Sequence, residues 1–354
     1  MLDILGDLKD LVAGLVDIES VSGHERVLAD HIESGLEHYE HLDVTRLGNT
    51  IVARTNFSAP TRILIAGHLD TVPVADNVPS VVETRQGREV VMGRGAVDMK
   101  GGIAVQLNLA ASITHAPRDM TWIFYDCEEI EASRNGLGRL AEVRPELLSG
   151  NMAILMEPTD GAIEAGCQGT IRMEVHTRGV AAHSARSWTG HNAIHDMSRA
   201  LEILNSGIPQ EVDIDGLTYR EGLNAVEISG GIAGNVIPDR CVLHVNYRFA
   251  PHRTQAQAVD FLRDQFAGYP IEVTDSAPGA LPGLNDPILT SFVESVGSVH
   301  PKYGWTDVSR FAELGIPAVN YGPGDPNLAH TDEEYVFVDQ VMGCRDTLQR
   351  WLTS

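Results

Sequence analysis

Fully apolar runs alternate along the chain with amphipathic stretches, and the two patterns predict different elements. Ile63-Leu64-Ile65-Ala66 is apolar at every position, as expected of a strand covered on both faces, and Gly67 closes it. Residues 152–156 repeat that pattern, and 120–126 and 316–321 read as further buried strands with Thr121, Asp126 and Asn320 as their polar positions. Between these strands, apolar residues at helical spacing predict helices at the N-terminus, over 25–38 and over 103–113. Residues 42–55 read as two strands about a Gly48-Asn49 turn. Buried strands interleaved with helices predict the α/β class, as a mixed, mostly parallel sheet flanked by helices.

The middle of the chain changes rhythm. Residues 170–178 alternate through Ile171, Met173 and Val175, 191–204 is helical, and 223–230 is extended. Then 241–249 alternates, 255–266 is helical and 271–274 is extended. That order, β-α-β-β-α-β, is the ferredoxin-like unit, with two helices on one sheet face and an edge left open for pairing. The prediction is a discontinuous main domain, 1–168 and 281–354, carrying an inserted ferredoxin-like α+β domain over 169–280. A length of 354 residues fits two cores better than one.

The buried strands end on chemistry. His68 follows the first of them, Glu128 and Glu129 the second, Glu157 the third, and His330 comes a few residues after the last. Asp98 precedes the helix over 103–113. In open α/β sheets the ligand crevice lies outside the carboxyl ends of the strands, so these groups are placed to converge. His68 and Asp70 sit two apart on extended chain, which sends both side chains to one face, and Asp70 is placed to hold the second ring nitrogen of a metal-bound imidazole. Taken singly, each has an ordinary structural account: Asp98 as a helix N-cap, Glu128-Glu129-Ile130-Glu131 as an exposed acidic run, His330 as a loop residue. Their joint placement at strand ends points to a metal site instead. Two imidazoles with several carboxylates and no thiolate suit zinc or a neighbour such as cobalt or manganese, in a catalytic site rather than a structural one. Five ligands hold two metals when one carboxylate bridges, with the ions roughly 3.5–4 Å apart.

Charge narrows the substrates. With 26 Lys+Arg against 49 Asp+Glu, the net charge is −23. Such a field repels nucleic acid and anionic membranes, and an anionic substrate must be held by local arginines. The four cysteines, Cys127, Cys167, Cys241 and Cys344, form no CxxC pair, so free thiols in a reducing cytoplasm are expected. The N-terminal stretch carries Asp3, Asp7 and Asp10 among its apolar residues and reads as an amphipathic surface helix, not a signal peptide.

Gly67-His-Leu-Asp-Thr-Val-Pro73, Gly93-Arg-Gly-Ala-Val-Asp-Met-Lys-Gly-Gly102, Glu128-Glu129, Glu157-Pro158 and His183-Ser184 resemble, in order and over nearly the whole chain, the signatures of the aminoacylase/carboxypeptidase family of dinuclear zinc hydrolases. The resemblance implies a zinc-exopeptidase-like catalytic domain binding two Zn2+ per subunit, with Co2+ as a substitute, and a homodimer formed through the insertion. It implies His68 and Glu157 on one zinc, Glu129 and His330 on the other, and Asp98 bridging. Asp70 would orient His68, Glu128 would be the general base, and His183 of the partner subunit would donate to the oxyanion. The Asp98-Met99 peptide would be cis. Arg248 matches a substrate-carboxylate ligand, and Asn235, Thr306, Gly322 and Asn327 match further substrate contacts.

Within that family, residues 231–238, 304–310 and 322–330 are most similar to members that remove succinate from N-succinyl-LL-2,6-diaminopimelate in lysine and cell-wall synthesis. One departure concerns acyl preference: Cys167-Gln168 follow Gly166 where some such members carry an arginine, with Arg172 or Arg186 as compensating candidates. N-acetylornithine deacetylases, other N-acyl amino acid amidohydrolases and small-peptide metallopeptidases share much of the pattern. An inactive metal-binding or partner-binding relative is the alternative of another class, and Glu128 argues against it, because binding alone needs no base beside the metals.

Overall fold

The computed structural model describes residues 2–206 and 210–354. They form two compact units, Met1–Ala165 with Gly283–His300 and Arg310–Ser354, and Gly166–Pro282 with Pro301–Ser309. The short Pro301–Ser309 segment joins the second unit although the apolar pattern alone assigns it to the main domain.

The first unit is built on an eight-stranded sheet in the spatial order Asp43–Leu47, Thr50–Arg54, Asp119–Tyr125, Arg62–His68, Met152–Leu155, Ala318–Asn320, Ile163–Ala165, Val299–Pro301. Its centre is parallel: Arg62–His68 pairs in parallel with Asp119–Tyr125 on one side and Met152–Leu155 on the other, and Ala318–Asn320 continues in the same sense. Because these four strands run the same way, their carboxyl ends share one edge of the sheet. Asp119–Tyr125 is buried at every position, which is why its sequence is mostly apolar instead of alternating, with Asp119 and Thr121 as its two polar residues.

The helix Gly101–Ser112 is buried on all sides through Ala111, being packed between the sheet and the helices Leu8–Val16 and Val338–Thr353, and its two buried amides, Gln106 and Asn108, donate to backbone carbonyls. Each fully buried Leu or Ile in such a layer contributes on the order of 1.5–3 kcal/mol. Asp7 caps Leu8–Val16 by accepting from the Lys9 N–H, so the early acidic residues serve a surface helix.

The apolar pattern did not anticipate a second, three-stranded sheet in this unit, in the order Tyr335–Phe337, Arg88–Met92, Val81–Arg85. Gln86 and Gly87 turn its hairpin with φ of 54° and 77°, the left-handed pair that a tight two-residue turn requires.

The second unit contains an antiparallel sheet in the order Gly222–Gly230, Arg240–Phe249, Gly169–Arg178, Ile271–Ala277, with Gly222–Gly230 as an edge strand. This is the ferredoxin-like arrangement. Ile171, Met173 and Val175 of one strand and Leu243, Val245 and Tyr247 of the next face a core shared with Ala200, Ala258 and Leu262 from the helices Ser198–Ser206 and Gln255–Gln265. An additional hairpin, Glu211–Ile214 and Leu217–Arg220, turns on Asp215-Gly216. Among the described residues, no helix is long and apolar enough to cross a membrane, and all four cysteines are buried free thiols.

Candidate metal centre

The carboxyl ends of the parallel strands bring His68, Asp98, Glu128, Glu129, Glu157 and His330 together. His68 Nε2 lies 3.0 Å from Asp98 Oδ1, His330 Nε2 lies 3.3 Å from Asp98 Oδ2, and His330 Nε2 lies 2.8 Å from Glu129 Oε1. Asp98 therefore presents one oxygen to each imidazole. Two ligand groups share it: His68, Asp98 and Glu157 on one side, and Asp98, Glu129 and His330 on the other, each with its ligand atoms within 4.8 Å of one another. Glu128 joins His68 and Glu129 in a third group within the same limit.

Local backbone explains why these residues can meet. Asp98 does not cap a helix; it is extended, at φ −118° and ψ 90°, and the helix begins only at Gly101. The Asp98-Met99 peptide is cis. Cys127, just before the two glutamates, and His330 both have positive φ, at 59° and 64°, a conformation that few residues other than glycine adopt and that is concentrated at functional sites. Gly322 and Gly102 allow close approach to the Glu157 turn, since a Cβ at Gly322 would lie 2.5 Å from the Met156 carbonyl oxygen and one at Gly102 only 2.3 Å.

Asp70 does more than face an imidazole. His68 Nδ1 lies 2.9 Å from the Asp70 carbonyl oxygen and 3.6 Å from its carboxylate. That carboxylate accepts the backbone N–H groups of Glu128 and Glu129, at 2.9 and 3.0 Å, and the Ser22 hydroxyl at 2.7 Å. Asp70 thus fixes the turn that carries both glutamates. Ser22 was not singled out from the sequence, and nothing near it gave a signal.

Electrostatics test whether the cluster fits a cation. Burial pushes the His68 pKa down, yet the bonds to Asp70 and Asp98 and the nearby Glu157 outweigh it and hold the ring well above its ordinary range. Bonds to Asp98 and Glu129 raise His330 to about 10 against the opposing effect of burial. Burial would raise Asp98, but the two imidazoles hold it below the usual carboxylate range. The upward direction of both imidazole shifts reports negative charge gathered around them, which divalent cations would meet. The donors are imidazole and carboxylate only, a set that suits zinc-like metals.

Residues 64–354 match peptidase family M20/M25/M40. The chain belongs to this family. It is 51% identical over 356 residues to the DapE protein of Mycobacterium tuberculosis, covering 99% of each chain. It is 44% identical over 365 residues to the succinyl-diaminopimelate desuccinylase of Corynebacterium glutamicum, covering all of this chain and 98% of the relative. Among solved structures, a Staphylococcus aureus tripeptidase superimposes with a TM-score of 0.79 at 21% identity, covering 98% of this chain and 97% of that one. An M20 family metallo-carboxypeptidase from Sulfolobus solfataricus gives 0.77 at 16% identity, covering 98% and 99%. At those identities the structures establish the fold. Family membership makes the chain a metal-dependent hydrolase.

The other residues that the family resemblance singled out lie apart in sequence. Gly322 and Asn327 belong to the first unit, Asn327 bonding to Asp325 in the loop before His330. His183, Asn235, Arg248 and Thr306 belong to the second. There His183 bridges to Val236, and the Ser184 N–H donates to the Asn235 carbonyl at 2.9 Å, so His183 and Asn235 are held side by side and exposed. Arg248 is half-buried on the sheet face away from the helices, diagonal to Arg172, whose register partner is Asn246. Thr306 is buried. Cys167 is also buried, and Gln168 Nε2 donates to the Arg220 carbonyl at 2.7 Å, so neither replaces an arginine chemically.

Proposed function

We propose that this chain removes the succinyl group from N-succinyl-LL-2,6-diaminopimelate, giving succinate and LL-diaminopimelate, with two zinc ions per subunit and as a homodimer. One observation carries the chemistry: the two oxygens of Asp98 stand 3.0 and 3.3 Å from the imidazoles of His68 and His330. The desuccinylase that is 44% identical over 98% of its length supports the substrate.

In this reading His68 and Glu157 would hold one ion and Glu129 and His330 the other, with Asp98 shared between them. Metal bound there would supply Lewis acidity and bring the pKa of water toward about 7. Glu128 accepts the proton of the attacking water on its carboxylate and passes it to the nitrogen of the leaving amine as the amide C–N bond breaks. Asp70 keeps Glu128 in place through the backbone. His183 of a second copy donates to the oxyanion. Arg248 takes a substrate carboxylate with its planar fork, and Asn235, Thr306, Gly322 and Asn327 complete the contacts. The open edge strand Gly222–Gly230, with Val226 and Ile228 exposed on it, supports pairing between copies. Buried free thiols support a cytoplasmic location.

The Cys167-Gln168 departure favours a second reading, in which the acyl group is acetyl or aminoacyl and the metal chemistry is unchanged. Zinc-loaded protein offered N-succinyl-LL-2,6-diaminopimelate, N-acetylornithine and a dipeptide separates the two. Succinate release as the preferred reaction is expected. Turnover of the other two alone overturns the substrate, and binding of two ions without turnover of any leaves only the inactive scaffold.

A further inference from the structure

Glu334 and Arg94 are 1% and 3% exposed, a buried ion pair that contributes no metal ligand and that the reaction above does not use. Glu334 Oε1 accepts the N–H groups of Val97 and Asp98, each at 3.0 Å, and Oε2 accepts that of Gly95 at 3.0 Å. Those three N–H groups lie where the chain kinks out of helical geometry, and the carboxylate takes the place of the missing backbone acceptors. Arg94 bonds to Glu334 Oε2 at 3.1 Å and, at 3.0 Å each, to the carbonyls of Pro73 and Thr331. Pro73 ends the segment that starts at His68, and Thr331 follows His330. One pair thus ties together the three segments that carry His68, Asp98 and His330.

Stability alone is a poor reason for such a pair. Removing two charges from water offsets most of their attraction, and apolar replacements are often no worse. Partners one layer behind metal ligands, by contrast, typically change affinity 10–100-fold when altered. We propose that Arg94 and Glu334 are positioning residues that set the spacing of the His68, Asp98 and His330 segments for metal binding. The inference rests on the ligand assignment proposed above.

The test measures zinc affinity by competition with a chromophoric chelator, alongside the melting temperature of the metal-free protein. Glu334→Gln keeps the shape but turns an NH2 toward donors that need an acceptor, and Arg94→Lys keeps the charge but cannot reach both carbonyls and Glu334. Each is expected to weaken zinc binding about 10–100-fold, and if one fails to fold the other carries the test. Arg88→Ala, in an exposed pair with Asp339 remote from the ligands, is expected to bind zinc like the parent protein. His68→Ala checks the underlying assignment separately: zinc affinity unchanged in that variant removes the assignment itself. If His68→Ala loses zinc while Glu334→Gln and Arg94→Lys bind within twofold of the parent, with or without a lower melting temperature, the pair is only structural and the proposal fails.

Discussion

His68 leaves the end of a strand buried on both faces and is 1% exposed, whereas His330 sits in a loop with left-handed backbone and a side chain 51% exposed. The two imidazoles face the same carboxylate, but different physics holds them. The first is fixed by the sheet and by the Asp70 carbonyl on its Nδ1. The second is held by a short loop and by Glu129. The candidate centre thus combines a rigid half with an accessible one, the first held by buried structure and the second open to solvent.

Removing the carboxylate proposed as the base should have the largest effect. Glu128→Gln is expected to lower kcat by about 10²–10⁴-fold with both ions retained, since general bases contribute on that order. Steady-state kinetics with metal analysis checks it, and unchanged turnover discards the role. Next comes the difference in exposure itself. Stepwise chelation should remove one ion about tenfold more readily than the other, a gap of the size that ligand environments produce. His330→Ala should retain one ion under conditions where His68→Ala retains none. Equal loss from both variants would erase the contrast.

A smaller effect is expected from Gly322→Ala, which drives a methyl group against the Met156 and Glu157 carbonyls. Overpacking of this kind lowers stability by about 1–3 kcal/mol, read as a drop in melting temperature, and it should weaken the His68 half more than the His330 half. The smallest is a pH effect in the metal-free protein. His330 is raised to about 10 by Asp98 and Glu129. Its stabilisation is therefore complete below the unfolded imidazole pKa of about 6.5 and is lost as pH rises toward about 10, and His68 shifts in the same sense. Solvent screens the half-exposed His330, so the fall in melting temperature should be modest. It should vanish once metal occupies the site.

The strand ends were legible because buried parallel strands write themselves as unbroken apolar runs, and a His or Glu directly after such a run stands out. The ferredoxin-like unit was legible for a related reason, its alternation marking one covered face. The hairpin at Val81–Met92 was not, because Gln86-Gly87 lacks the Asn-Gly or Asp-Gly signature and the strands are short. Asp215-Gly216 does carry that signature, between strands that alternate through Val212, Ile214, Leu217 and Tyr219. In the site, Asp98 was legible from its motif but its extended backbone was not. Glu334 and Arg94 were invisible as a pair, since a contact across 240 positions leaves no local trace.

Diffraction from zinc-loaded crystals, measured on both sides of the metal absorption edge, tests the shared-carboxylate centre most directly. Two anomalous peaks roughly 3.5–4 Å apart are expected, one beside His68 and Glu157, one beside Glu129 and His330, with Asp98 between them. A single peak at full loading, or two peaks that Asp98 does not touch, contradicts the account.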